Sequence, residues 1–177
     1  MATAGRSAVR VVVDGEGSAN VSTGLPVLDH LLALLAEHAD FDLTLEVEPG
    51  GIDTEVAAAG RALGHELYKP LRADGARRHA SSIVPADEAL AHVALEASGR
   101  PLVVSNVDLT EARIGGLGSD FVASFLNQLA EGAGITLHVR LISGDDTQHV
   151  LDSIFKALGV ALAQACRPRR SGWPTRK

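Results

Sequence analysis

The chain has 177 residues, a net charge of −6, and a composition that is 46% hydrophobic but only 3% aromatic. A chain of this length can bury roughly 70% of its unfolded surface, enough for a real core, and here that core must be aliphatic. The acidic balance argues against a general nucleic-acid binder, no apolar run reaches a membrane span, and the single Cys166 excludes an intramolecular disulfide framework.

The lone cysteine also excludes a thiolate metal cage within one chain and fits a reducing cytoplasm. The N-terminus lacks a basic segment followed by an apolar one, so no signal peptide is expected. Basic residues are unevenly spread: Arg72, Arg77 and Arg78 cluster mid-chain, while Arg167, Arg169, Arg170, Arg176 and Lys177 crowd the C-terminus. Such clusters are either solvated surface or a local anion site in an acidic protein.

In chain order, Val9 to Val13 is a β-branched strand with an Asp14-Gly15 turn behind it. Gly24 and Pro26 open a helix carrying Val27, Leu28, Leu31, Leu32, Leu34 and Leu35. His38, at its end, is a cation favourably placed against the helix dipole. Phe41 to Val47 alternates as a strand, Pro49-Gly50-Gly51 breaks it, and a helix follows from Glu55 to about Leu67. Ala91 to Val104 reads as strand, Ser98-Gly99 turn, strand. Gly115-Gly116-Leu117-Gly118 has no following Lys-Ser/Thr and reads as a flexible connection rather than a phosphate loop. From Gly144 a loop tips into a long helix ending near Cys166, with Leu151, Ile154, Phe155, Leu158, Ala161 and Leu162 on one stripe. Asp145, Asp146 or Thr147 could cap it.

The two halves echo one another. LAEGAGITLHV at Leu129 matches LAEHADFDLTLEV at Leu35, with the offset moving from 94 to 92 across the turn, and KALG at Lys156 matches RALG at Arg61 at an offset of 95. Each half reads helix, tight turn, strand, loop, helix. That is an internal duplication, and it predicts an α+β fold of two lobes, 1–88 and 89–177, forming one compact unit. Each lobe has a mainly antiparallel sheet with two helices on one face, and the lobes share a helical core.

His149 and Asp152, three residues apart, share a face near the start of the last helix. An imidazole and a carboxylate at that spacing can close on one metal ion or one proton, or simply dress a solvated first turn. His65, His79 and His92 read as surface or interface residues. Trp173 lies in the tail and is either an anchor onto a neighbouring subunit or loose.

Several blocks together resemble the imidazoleglycerol-phosphate dehydratase family: LDHLLALLAEH at Leu28, VPADEALAHVALEASGRP at Val84, TLHV at Thr136 and HVLDSIFKA at His149. The resemblance implies a lyase of histidine biosynthesis with a duplicated α+β fold, assembled through trimers into a shell of roughly 24 subunits. It implies two manganese ions with ligands from neighbouring subunits, which grip the substrate as an imidazolate. It implies Arg, Lys and Ser side chains around the substrate phosphate.

Carried over position by position, the resemblance places metal ligands at His30, His138, His149 and Asp152, with Asp152 also in the catalytic role. It places phosphate-binding residues at Arg78, Arg100, Lys156 and Lys177. The family's two adjacent histidines and following glutamate become Asp53, Thr54 and Ala57 in the first lobe, and Gln148, His149 and Asp152 in the second. Its catalytic glutamate ahead of the first strand becomes Ala4.

Ala57 deletes an oxygen ligand, Thr54 offers only a neutral hydroxyl, and Asp152 is a methylene shorter than glutamate. Misplacement of about an ångström can cost on the order of 100-fold in rate. The expectation is a protein with weak or absent dehydration that keeps a site for a small phosphorylated ligand and holds one manganese ion or none. The alternatives are an active manganese enzyme with altered ligands, a phospho-ligand sensor, or a shell subunit that co-assembles with an active paralogue. No nucleic-acid or membrane partner is expected.

Overall fold

The structure is a computed structural model and describes residues 8–108, 113–114, 117–118 and 120–168. In chain order its strands are β1 (Ala8–Val12), β2 (Ala19–Ser22), β3 (Asp42–Glu46), β4 (His79–Ala86), β5 (Ala89–Glu96), β6 (Leu102–Ser105), β7 (Arg113–Ile114), β8 (Leu117–Gly118) and β9 (Thr136–Ser143). Its helices are α1 (Pro26–Ala39), α2 (Ile52–Tyr68), α3 (Asp120–Ala133) and α4 (Thr147–Cys166), with a short 3-10 turn at Pro70–Arg72. The Gly115-Gly116 part of the expected flexible connection lies outside the described residues, between the two-residue strands β7 and β8.

The duplication is visible in the pairing. In the first sheet β3 lies between β1, antiparallel, and β2, parallel. In the second, β9 lies between β5, antiparallel, and β6, parallel, and β4 is added outside β5. The common unit is therefore β-β-α-β-α. The strands on either side of Ser98-Gly99 do not pair with each other; they flank β9. β4, on the N-terminal side of residue 88, pairs with β5 along its whole length.

The offset between the lobes does not drift at the turn, as the sequence match had it. α1 ends in Asp40 at φ 55°, and Phe41 N–H reaches back to the Ala36 carbonyl (3.0 Å). α3 ends before Gly134 at φ 63°, and Ile135 N–H reaches the Ala130 carbonyl (3.1 Å). Both are left-handed helix caps 94 residues apart, and the following strands stay in that register, so His138 stands where Thr44 does. Matching LTLEV to TLHV had skipped two residues.

Each sheet buries one face under its own two helices, and the helices pair across the lobes, α2 on α3 and α1 on α4. The result is two sheets enclosing a four-helix layer. Gly64 and Gly159 explain the sequence echoes. A Cβ on Gly64 would lie 2.6 Å from the Leu129 carbonyl oxygen, and one on Gly159 would overlap the Leu35 carbonyl oxygen. The glycine of each ALG echo thus packs on the leucine of the other lobe's LAE echo. The two repeated motifs are the two sides of one helix contact, made twice.

The core is mostly aliphatic, with the buried rings of Phe125 and Phe155 in tilted contact, centroids 5.6 Å apart. The Arg72 guanidinium crosses between lobes, donating to the carbonyls of Ala133 (2.9 Å) and Gly134 (2.8 Å) at the end of α3 while lying over the Tyr68 ring. Among the described residues no helix is long and apolar enough to cross a membrane.

Candidate functional site

The first turn of α4 collects most of the described candidate ligands. Of the three possible caps, Asp146 is the one used: its carboxylate accepts the His149 backbone N–H at 3.1 Å. His149 and Asp152 leave the helix on one face but do not meet.

Asp152 turns toward α1, where its Oδ1 lies 3.0 Å from His30 Nε2 and accepts the Gln148 side-chain amide at 2.8 Å. His149 turns toward the β4–β5 turn instead. Its Nδ1 is 2.7 Å from Glu88 Oε2, and its Nε2 is 3.4 Å from Asp87 Oδ2. Glu88 also accepts the backbone N–H groups of Asp146 (2.9 Å) and Asp145 (3.3 Å) through its other oxygen.

This second cluster is strongly polarised. The Glu88 carboxyl is held down at about 2, first by the Asp146 N–H and then by His149. His149 is raised above the ordinary imidazole value, chiefly by its hydrogen bond to Glu88. Asp87 and Glu88 sit at a tight hairpin turn, with Asp87 at φ 51°, which aims both carboxylates at α4.

The other ligand candidates lie apart. His138 is exposed on the outer face of the second sheet, between Ala94 and Val104 in register, on the side away from the helices. It is five residues, roughly 17 Å of strand, from the Ser143 end that leads into α4. Asp53, Thr54 and Ala57 line an open depression of about 500 Å³ together with Ala58 and Arg61. Arg61 Nε donates to Gln128 Oε1 there (3.1 Å). Among the described residues no three His, Cys, Asp or Glu side chains converge as a metal-holding group. Within one chain the donor set therefore does not fit a dimetal centre: His30 meets one short carboxylate oxygen that also accepts an amide N–H, and Glu88 and Asp146 beside His149 are taken up by backbone N–H groups.

The cations divide in two. Arg78 and Arg100 lie at the same end of the second sheet: the Arg78 carbonyl accepts the Ala97 N–H (2.7 Å), and Arg100 follows the Ser98-Gly99 turn, its carbonyl held by Thr136 Oγ1 (3.0 Å). The Arg78 N–H donates to the Ala165 carbonyl late in α4 (2.9 Å), whereas Lys156 is nine residues earlier, roughly 13 Å along the axis. Ala4, Lys177 and Trp173 lie outside the described residues.

Glu88 and Asp87 had drawn no attention as site residues, and Gln148 only as a position where a ligand histidine is replaced. The signal for the first two was the acidic pair in VPADEAL, legible once β4 and β5 are seen to form a hairpin. His38 Nδ1–H donates to the Leu34 carbonyl in the last turn of α1 (2.9 Å). Burial pushes the Cys166 thiol up to about 12, so it is an inert packing residue.

Comparison with known proteins gives one consistent answer. The family profile described as imidazoleglycerol-phosphate dehydratase matches residues 23–162. The chain is 43% identical to the imidazoleglycerol-phosphate dehydratase of Syntrophobacter fumaroxidans, over 94% of this chain and 88% of that one. It is 39% identical to that of Moorella thermoacetica over 96% and 89% of the two chains. Among solved structures, the Staphylococcus aureus imidazoleglycerol-phosphate dehydratase superposes with a TM-score of 0.84 at 26% identity, covering 94% of this chain and 96% of that one. The Pyrococcus furiosus structure in complex with (S)-C348 gives 0.78, also at 26% identity, over 95% and 93%. With its duplicated β-β-α-β-α lobes and this breadth of match, the chain belongs to the imidazoleglycerol-phosphate dehydratase family, a lyase family of histidine biosynthesis.

Proposed function

We propose that this protein is a family member that keeps the site for a small phosphorylated ligand while its dehydratase activity is weak or absent. The observation that carries this reading is the first turn of α2. Asp53, Thr54 and Ala57 stand where the family resemblance calls for two imidazoles and a carboxylate, and they line an open depression rather than a ligand cage. A methyl group at Ala57 donates nothing, and Ala4 cannot shuttle a proton. The protein holds one manganese ion or none.

The anion side is favoured by Arg78 and Arg100 at one end of the second sheet. Planar guanidinium donors suit phosphate oxygens, and Lys156 and Lys177 add point charges when subunits meet. The same reading has the subunits assembling through trimers, in a cytoplasmic setting. The outer face of the second sheet supports the assembly, because Ile83, Leu102, Val104 and Ile142 are exposed on it or at its rim. The same surface suits a shell subunit that co-assembles with an active paralogue, and a retained phosphate site suits a sensor.

One alternative is favoured by a specific finding. Relatives bearing the dehydratase name match at 39% and 43% identity across nearly the full chain, which fits an active manganese enzyme with altered ligands. Turnover of imidazoleglycerol phosphate to its keto product, with manganese supplied, separates the two. The expected result is little or no product from the native chain. Product should appear in the variant Ala4→Glu, Asp53→His, Thr54→His, Ala57→Glu, Gln148→His, Asp152→Glu. Equal turnover by both proteins ends the proposal.

A further inference from the structure

The side chains around the first turn of α4 are committed to one another. On one side His30, from α1 in the first lobe, meets Asp152 at 3.0 Å, and Gln148 completes the carboxylate at 2.8 Å. On the other side Glu88 and Asp87, from the β4–β5 turn, face the two ring nitrogens of His149 at 2.7 and 3.4 Å, with Asp146 3.9 Å from Nδ1. Glu88 at the same time binds two backbone N–H groups of the loop entering α4. Three separate pieces of chain, α1, the β4–β5 turn and α4, are thereby tied at one point.

A metal ion would tie such pieces by coordinating the same imidazole nitrogens and carboxylate oxygens. Here those atoms have protein partners instead. Gln148, an amide that donates into Asp152, strengthens the protein-only arrangement, as does the short reach of Asp152. We propose that these two side-chain clusters fasten α4 to α1 and the β4–β5 turn in place of metal coordination, so that the chain folds without a divalent cation. The inference rests on the reading that the dimetal site is degenerate.

The test is thermal unfolding of the purified full chain after EDTA dialysis, then with manganese chloride added in excess. A cation bound to the folded state at a hundred times its dissociation constant would raise the midpoint by about 5–10 °C in a protein of this size. The expected result is no shift in midpoint in either direction, with His30→Ala and Glu88→Ala each lowering the midpoint by a few degrees. A manganese-dependent rise, or a fall in EDTA, overturns the proposal. If His30→Ala does not accumulate as folded protein, the two metal arms on the parent chain decide alone. The outcomes separate cleanly from the activity assay. Manganese stabilisation without turnover sinks this proposal and leaves the reading of lost activity standing. Turnover without stabilisation does the reverse.

Discussion

The first turns of α2 and α4 occupy equivalent places in the two lobes, and they have had opposite fates. At α4 the polar side chains are woven into α1 and the β4–β5 turn. At α2, Asp53, Thr54 and Ala57 line an open depression and reach no other element through a described hydrogen bond, apart from Arg61 further along the helix. Below those turns the helices are still the same: Gly64 and Gly159 pack on Leu129 and Leu35 in mirrored contacts. Helix crossings constrain residue size from all sides, whereas a surface turn is constrained only by what it binds. The duplication has therefore kept its core while its site residues diverged.

The sharpest way to break that comparison is to fill the two crossings. Gly159→Val drives a branched side chain into the Leu35 backbone, which cannot move without displacing α1. Overpacking of this kind costs about 3 kcal/mol, or a midpoint lower by about 6–12 °C in a chain of this size. Gly64→Val should cost about as much, because the Leu129 carbonyl and the Ala133 and Gly132 backbone stand equally close. Denaturant midpoints at unchanged slope measure both. A tolerated Gly64→Val beside a disruptive Gly159→Val would mean that the symmetry is geometric but not energetic.

A smaller effect probes what is peculiar to α4. Unfolded, the Glu88 carboxyl titrates near 4.5 and the His149 imidazole near 6.5. Glu88 is lowered in the fold, so its contribution is complete above 4.5 and fades as pH falls toward about 2. His149 is raised, so its contribution is complete below 6.5 and fades as pH rises through its folded value. Both act together between 4.5 and 6.5. The midpoint difference between the parent and Glu88→Gln should peak in that window and narrow on either side. A difference that stays flat with pH would show that the charge of the cluster contributes nothing, consistent with its partial exposure.

How much of this was readable beforehand follows from the kind of signal each element carries. α1 and α4 announce themselves through apolar stripes, and the duplication through two short echoes that turn out to be one contact. β4 was invisible because His79 to Ala86 contains Pro85, which normally demotes a strand. The structure tolerates it because β4 is an edge strand. β2 is four residues with a single partly buried side chain, too short to show a period. The pairing of His30 with Asp152 spans 122 residues and leaves no local trace; the resemblance puts both among the metal ligands, but their direct contact shows only in the fold. Missing β4 also hid the Glu88 side of the His149 cluster, since that carboxylate matters only where the hairpin places it.

The smallest expected effect concerns the caps that fix the register between the lobes. Asp40 and Gly134 hold the same left-handed conformation 94 residues apart, but only glycine takes it without a Cβ penalty. Asp40→Gly removes that penalty and gives up only an exposed contact to Arg167 at 3.5 Å, which is worth little. Against this stands the greater freedom of glycine in the unfolded chain. The balance should favour Asp40→Gly by about 0.5 kcal/mol, while Asp40→Ala should destabilise, since alanine keeps the Cβ in a left-handed conformation that it adopts less readily than aspartate does. The reciprocal change cannot be neutral, because a Cβ on Gly134 would come within 2.7 Å of Arg72 Nη2 and disturb the cap that Arg72 places on α3. Stabilisation by Asp40→Gly alongside loss from Gly134→Ala would locate the remaining asymmetry in Arg72. Destabilisation by both would show that Asp40 is held by more than its backbone.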